Sequence, residues 1–364
     1  MKNMLNKFII AIKPSLIAVA FGLFVGLIIM LAFNPMEAFP ALITLLLGGF
    51  NGGLQGIGNT LYMAAPIILS GLAVAFAFKT GLFNIGASGQ MMVGAYVAVH
   101  IGVLWNVPGL LHWIVALLLG GLAGLIWGLI PGLLKAFRNV NEVIASIMMN
   151  YIASFLLIML INQNVIQELR AEARIVQRSA VLPSLSFLFP GSTINIGIVL
   201  TIIIVILVHI LIHKTTLGFQ LRASGFSMDG SKYAGMNTKR NIVVAMALSG
   251  LFAGLGGAIM FLTFGKALPA DGVIFAEGFD GISVALLGLG EPIGALFAGL
   301  FLSNIRMGGY YLQSFVFVPQ IVDMIVAIII YMTAISITVQ ALFKRYGEQI
   351  KAWKINRKKK GDEA

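Results

Sequence analysis

The sequence predicts an all-α, polytopic membrane bundle of about ten transmembrane helices. Three observations predict it. Fifty-nine percent of the 364 residues are hydrophobic. Only 10% are charged, against about 25% in an ordinary soluble domain, which is too few to cover a surface in water. Apolar runs of near-bilayer length also recur along the chain, separated by charged or turn residues, as spans of about 20 residues require. Disorder is excluded on the same grounds, because it needs low hydrophobicity. The chain has no cysteine. That excludes disulfides, thiolate metal sites, a cysteine nucleophile and a lipid-anchored N-terminal cysteine.

The first span, about 15–33, follows Lys2, Lys7 and Lys13 in a short N-terminal segment, 1–14. Its apolar stretch is too long for a signal-peptide core and no small-x-small cleavage site follows, so it reads as a retained span. The run Ala41–Phe50 is too short to cross alone and reads as re-entrant or peripheral. Spans follow at about 60–78, 88–105, 113–134, 143–161, 194–212 and 241–262, with a last one at about 319–340. The stretch 278–304 is either one bent span or two short ones broken at Gly288-Leu289-Gly290-Glu291-Pro292.

Basic residues decide between these two. Both termini are lysine-rich and belong in the cytoplasm, so the number of crossings is even, and splitting 278–304 gives ten. In this N-in/C-in arrangement 19 of the 24 Lys and Arg residues fall on cytoplasmic segments. The transmembrane domain then covers 15–340, with a cytoplasmic loop at 213–240, an external loop at 162–193 and a basic cytoplasmic tail at 341–364. Arg170, Arg174, Arg178, Lys266 and Arg306 fall outside, with the acids Asp271, Glu277 and Asp280. The net charge of +11 therefore sets topology and is no signal for nucleic acid. The tail also suits contact with anionic membrane lipid.

The spans carry little chemistry. No Gly-x-x-x-x-Gly-Lys-Ser/Thr stretch exists to cradle a phosphate. His209 and His213 lie four apart and could share a helix face, but no carboxylate stands at helical spacing from either, so no metal site is expected. No Ser/His/Asp set can be assembled, which argues against an enzyme. Asp323 is the one carboxylate well inside a span. It is read as the single buried one, in a structural ion pair or at a gate. Glycines recur every fourth residue at Gly120, Gly124, Gly128 and Gly132, and again at Gly250, Gly254 and Gly257. Each stripe lets another helix approach closely.

The loop 213–240 is too long for a turn and too polar for a span. Residues 215–224 suit a short helix stopped at Gly225. Ser227 caps a second helix ending near Tyr233-Ala234 before Gly235, and Asn237 or Thr238 caps the next span. Its apolar side chains have no core of their own, so an ordered knob that docks on a partner is expected.

Several blocks carry a resemblance. They are Leu221-Arg222-Ala223-x-Gly225, Tyr233-Ala234-Gly235-Met236-Asn237 and Ala247-Leu248-Ser249-Gly250-x-x-Ala253-Gly254-Leu255. To these add Gly81-Leu82-Phe83-Asn84-Ile85-Gly86-x-x-Gly89-Gln90-Met91, Asn141-Glu142-Val143-Ile144-x-x-Ile147-Met148-Met149-Asn150-Tyr151 and Gly278-Phe279-x-Gly281-Ile282-x-Val284-Ala285-Leu286-Leu287-Gly288. Together they resemble the permeases of ABC importers for simple sugars, branched-chain amino acids and nucleosides. The length and the external loop with Arg170–Leu182 resemble the nucleoside branch most.

The resemblance implies a type II ABC importer-like bundle in a bacterial plasma membrane. Its partners would be an ABC ATPase subunit, a second related permease and a substrate-binding lipoprotein. ATP would be bound by the ATPase, and this chain would need no cofactor. Arg222, Gly225, Tyr233, Ala234 and Gly235 would form the element that couples to the ATPase. Two departures stand inside it: Ser227-Met228 where the family often has Asn-Pro, and Gly230-Ser231 where it often has Ala-Ala. The second glycine-bearing helix is weaker by about 1 kcal/mol for that change.

Asn84 and Gln90 either satisfy backbone groups freed by a broken entry to their span or line the pathway. Asn141 and Glu142 cap a helix start or serve a gate. Asn150, Asn59, Asn304, Gln313 and Gln320 are further lining candidates. The cargo implied is polar and uncharged: a nucleoside, with simple sugars or branched-chain amino acids as alternatives. A stand-alone secondary carrier is the alternative of another class. It would want inverted repeats and paired intramembrane charges.

Overall fold

The computed structural model describes residues 2–332 and 335 apart from 168, 316 and 319, with side chains from residue 15. The basic tail 341–364 and the end of the expected 319–340 span lie outside the described residues. Among the described residues thirteen α-helices run in order: α1 Lys2–Phe33, α2 Ala38–Leu47, α3 Gly53–Phe78, α4 Ala87–Leu104, α5 Leu111–Arg138, α6 Glu142–Asn164, α7 Gly197–Lys214, α8 Thr216–Phe226, α9 Met228–Tyr233, α10 Thr238–Phe261, α11 Ala276–Leu287, α12 Pro292–Tyr311 and α13 Gln320–Met332. Seven stretches among the described residues are long and apolar enough to cross a membrane: Ser15–Phe33, Ala38–Phe78 and α4, α5, α6, α7 and α10.

The chain divides into two compact units. One holds residues 1–42 with 315–364. In it Gly22 and Gly26 of α1 give room to Ile329 and Ile325 of α13. A Cβ on Gly22 would stand 2.3 Å from Ile329 Cγ1.

The other unit, residues 43–314, is built around α10, which is buried along most of its length. α10 packs on α3, α4 and α5. Phe252 meets Phe76 of α3 edge to face at 5.5 Å. The two expected glycine stripes prove to be partners: a Cβ on Gly124 would stand 2.4 Å from the Gly250 carbonyl oxygen, and one on Gly250 2.3 Å from that of Gly124. The α5–α10 seam is thus backbone against backbone, and any side chain there would force the helices apart.

The break within 278–304 falls where the sequence placed it. α11 ends at Leu287, and Leu289 (φ +57°) and Gly290 (φ +66°) turn the chain into Pro292, the first residue of α12. Proline suits that first position because its missing N–H has no partner there anyway. α11 is about 18 Å long at 1.5 Å per residue. That is too short to cross a core of about 30 Å alone.

The all-α expectation misses one detail. The 162–193 loop contains a small antiparallel pair, Ile166–Gln167 with Glu172–Ala173. The segment between α10 and α11 hydrogen-bonds to it, Ala173 N to Leu268 O and Ala270 N to Ala171 O. These two loops make an ordered layer over one end of the unit.

Candidate functional site

A cavity of about 590 Å³ opens in the second unit between α3, α10, α11 and α12. α3 contributes Gln55, Asn59, Tyr62, Met63, Pro66 and Ile67. α11 supplies Glu277 and Asp280 from its first turns, and α12 supplies Arg306, Met307, Tyr310 and Tyr311. Thr193, Met260 and Lys266 complete the lining.

Several of the polar groups are held in place. Tyr62 donates its hydroxyl to the Met260 carbonyl at 2.8 Å. The Lys266 ammonium lies over the Tyr62 ring at 5.2 Å and over Phe261 at 5.4 Å. Asn59 Oδ1 accepts from the backbone N–H and the hydroxyl of Thr193. Arg306 Nη2 donates to Asp280 Oδ1 at 2.5 Å, with side-chain exposures of 22% and 7%. The start of α11 is docked deep in the unit: Ser70 Oγ donates to Glu277 O and Ser88 Oγ to Phe275 O. Ser70 lies eight residues, about 12 Å, inside the end of α3.

Among the described residues the buried carboxylate is Asp280, while Asp323 is exposed on α13. Asp280, Glu277, Lys266 and Arg306 read as external-loop charges in the sequence. The fold turns α11 inward from that loop, so they line a cavity. A sequence signal did exist: Asp280 and Arg306 flank the Gly288–Pro292 turn, and folding the stretch into a hairpin brings opposite charges to its open end.

Asn84, Gln90, Asn141, Glu142 and Asn150 do not line this cavity. Asn84 is fully buried and donates to Gln90 Oε1 at 2.9 Å and to Ser249 Oγ at 2.6 Å, while its own Oδ1 accepts from Gly86 N. Asn150 Oδ1 accepts from Gly89 N, and its amide donates to Ile85 O. Asn84 and Asn150 thus satisfy the backbone of the broken entry to α4, as such a break requires, and Gln90 holds the Asn84 side chain in place. Asn141 caps α6, accepting from Val143 N and Ile144 N. Glu142 pairs with Lys135 at 2.9 Å. Asn304 clamps the end of α2 through Gly49 N and Leu46 O. Of the candidate lining amides, Asn59 does reach the cavity.

At the opposite end of this unit, α8 and α9 form the knob. Thr215, Ser227 and Asn237 cap α8, α9 and α10 with side-chain oxygens on Gly218 N, Gly230 N and Arg240 N. Gly235 turns the chain at φ +78°. Gly225 does not stop α8, which runs on to Phe226. Its missing side chain serves packing instead: a Cβ would stand 2.2 Å from Lys79 O and 3.0 Å from Gly81 N. Tyr233 is 93% and Phe226 95% exposed, a pair of unpartnered aromatics on the knob. Arg222, Ala234 and Gly235 border a cleft of about 730 Å³ behind it.

Lys79 continues this contact inward. Its ammonium pairs with Glu291 Oε1, and His213 Nε2 stands 2.9 Å from Glu291 Oε2. Burial raises the Glu291 pKa, but Lys79 and His213 outweigh it and hold the carboxyl below its usual value.

Comparison with known proteins places these features. Residues 56–334 match the family described as branched-chain amino acid transport system / permease component. A guanosine ABC transporter permease of Bacillus subtilis (strain 168) is 39% identical over 330 residues, 89% of this chain and 93% of that one. A nucleoside ABC transporter permease of Lactococcus lactis subsp. cremoris is 34% identical over 359 residues, 96% and 97% of the two chains. A glucose ABC transporter permease of Haloferax volcanii is 31% identical over 302 residues, 80% and 78%. No solved structure matches this chain.

Proposed function

This chain belongs to the family of branched-chain amino acid transport system permease components, and from that membership we propose that it is the permease subunit of an ATP-driven importer for nucleosides in a bacterial plasma membrane. The observation that carries the cargo is the cavity. Its lining holds two cations and two carboxylates, so its formal charge balances and suits an uncharged polar molecule. Tyr62, Tyr310 and Tyr311 offer aromatic faces for a base, and Gln55 and Asn59 offer amides. A volume of about 590 Å³ lies within the ordinary range for small-molecule sites, about 300–1,000 Å³. The guanosine and nucleoside permeases that match over most of their length support the same cargo. The glucose permease relative keeps a simple sugar as the second reading.

In this reading the chain crosses the membrane ten times with both ends in the cytoplasm, in a type II importer arrangement. α12 supplies one of the two crossings in this stretch, and α11 supplies the other only together with the 262–275 segment that leads into it. A separate ATPase binds ATP and docks on α8–α9, where Tyr233 and Phe226 are the anchors, Arg222 and Ala234 border the contact, and Gly225 and Gly235 set its shape. A second, related permease completes the pathway, and a lipoprotein delivers substrate to the cavity end. The route inward is short. Gly225 presses on the Lys79–Gly81 turn, Lys79 holds Glu291, and Glu291 leads into α12, which carries Arg306 against Asp280. Asn84, Gln90 and Asn150 keep the α3–α4 turn rigid enough to pass that motion on. Asn141 and Glu142 brace α6 beside it.

Uptake in a strain lacking this chain, restored by the gene, tests the cargo. Labelled guanosine uptake should be blocked by unlabelled nucleosides and not by ribose, glucose or leucine. Uptake blocked by ribose or glucose alone would replace the nucleoside reading with the sugar one. Proton-coupled uptake by this chain without an ATPase would remove the importer reading altogether.

A further inference from the structure

Three donor side chains converge at the end of the second unit that carries α8 and α9, away from the cavity. His209 and His213 lie one turn apart on the same face of α7, with ring centroids 4.5 Å apart. The sequence offered them no carboxylate at helical spacing. The fold supplies one from 78 residues further on: Glu291, in the turn before α12, stands with Oε2 2.9 Å from His213 Nε2. One donor atom from each of the three lies within 4.8 Å of the others. His209 Nδ1 is buried and, among the described residues, has no hydrogen-bond partner. Such an atom is costly to leave unsatisfied.

We propose that His209, His213 and Glu291 form a binding site for a divalent transition-metal ion, with zinc as the species that fits. Two imidazoles and one carboxylate, with a fourth position left to water, are a zinc donor set. Imidazole donors select against magnesium and calcium. Zinc bonds of about 2.0–2.2 Å place tetrahedral donors about 3.4 Å apart. The His213–Glu291 pair must therefore open by about half an ångström, and His209 must turn its ring inward. Lys79 already supplies the outer-shell contact: it holds the other oxygen of Glu291, keeping the carboxylate ionised and oriented as such partners do. Lys79 and Lys214, which neighbours His209, are the cations facing the site. They make it weaker than one surrounded by acids, suited to an ion that comes and goes. A bound ion staples α7 to the α11–α12 turn. It would thus hold the contact through which α8 reaches the cavity.

The test uses the intact chain in lipid nanodiscs, purified on a tag without histidine and titrated with Co²⁺, then Zn²⁺. Wild type should develop the visible absorption of tetrahedral Co²⁺ at one ion per chain, and Zn²⁺ should displace it and raise the melting temperature. His209→Asn leaves the Lys79–Glu291–His213 contacts in place. It should lose the band and bind Zn²⁺ more weakly by more than the roughly 10–100-fold that losing an outer-shell partner costs. Glu291→Gln should lose the band too. The proposal is overturned if wild type binds neither ion saturably, or if either variant keeps the wild-type Co²⁺ spectrum.

Discussion

Replacing Asp280 with alanine strips Arg306 of a carboxylate 2.5 Å away. With exposures of 7% and 22%, neither side chain is rehydrated merely by losing the other. Breaking a buried pair from one side costs about 3–5 kcal/mol, because the remaining charge stays uncompensated. Arg306 borders an open cavity, so water reaches it in part and the lower figure, about 3 kcal/mol, is expected. Replacing both residues, Asp280→Leu with Arg306→Met, removes both desolvation penalties. The double variant should therefore fold within about 1 kcal/mol of wild type or better. Transport should not follow stability. The double variant has lost two polar groups of the cavity and should be well folded and inactive. Unfolding of the reconstituted protein gives the first quantity, and nucleoside uptake in the deletion strain gives the second. The reasoning fails if the single variant is as stable as wild type, if the double variant costs the sum of the singles, or if it transports at the normal rate.

Gly225→Ala would place a Cβ 2.2 Å from a backbone oxygen, a strain of about 1–3 kcal/mol. It should lower uptake about tenfold while ATPase activity of the assembled transporter persists, as a ratio of the two rates in proteoliposomes would show. Tyr233→Ala and Gly235→Pro should uncouple ATP hydrolysis from uptake and leave the amount of protein in the membrane unchanged, measured by quantitative blotting beside the ATPase assay. The pH dependence of the Lys79–Glu291–His213 contact has a definite sign. The Glu291 carboxyl is depressed below its ordinary 4.5, so its contribution is full above about that pH and is lost as pH falls through the lower folded value. The melting-temperature gap between wild type and Glu291→Gln should be constant from neutral pH to about 5 and close below about 4.5. A gap that stays unchanged through the whole acid range would refute the assignment to Glu291.

The parts legible in the sequence were those governed by local rules. Ser227 and Asn237 were readable as caps because a capping oxygen bonds N–H groups two or three residues on. The hairpin corner was readable because Gly-Leu-Gly-Glu-Pro cannot continue a helix. The two glycine stripes were each visible, but nothing in either names the other as its partner. The cavity was not legible for the same reason. Asp280 and Arg306 are 26 residues apart, and His213 and Glu291 are 78 apart. Only the fold decides that charges near a loop point into the molecule. Gly225 was misread as a helix stop because a glycine kept for conformation and one kept for clearance look alike in one sequence. Asn84 and Gln90 were open between two roles and Asn150 was a lining candidate; all three are buried at the α4 entry, where Asn84 and Asn150 bond backbone and Gln90 bonds Asn84.

α11 has a property that its shortness makes useful. A helix of twelve residues is a stiff rod of about 18 Å, clasped at one end by Asp280–Arg306 and at the other by a turn of fixed backbone. A stiff rod cannot absorb displacement along its length. If the Glu291 corner tips, the opposite end must swing, and Glu277 and Asp280 swing with it. The cavity floor and the inner contact of Lys79 are then two arms of one lever. Opening one without moving the other would require the helix itself to bend, and it has no proline to break it, while its glycines Gly278 and Gly281 are packed against Ser88 and Ser70.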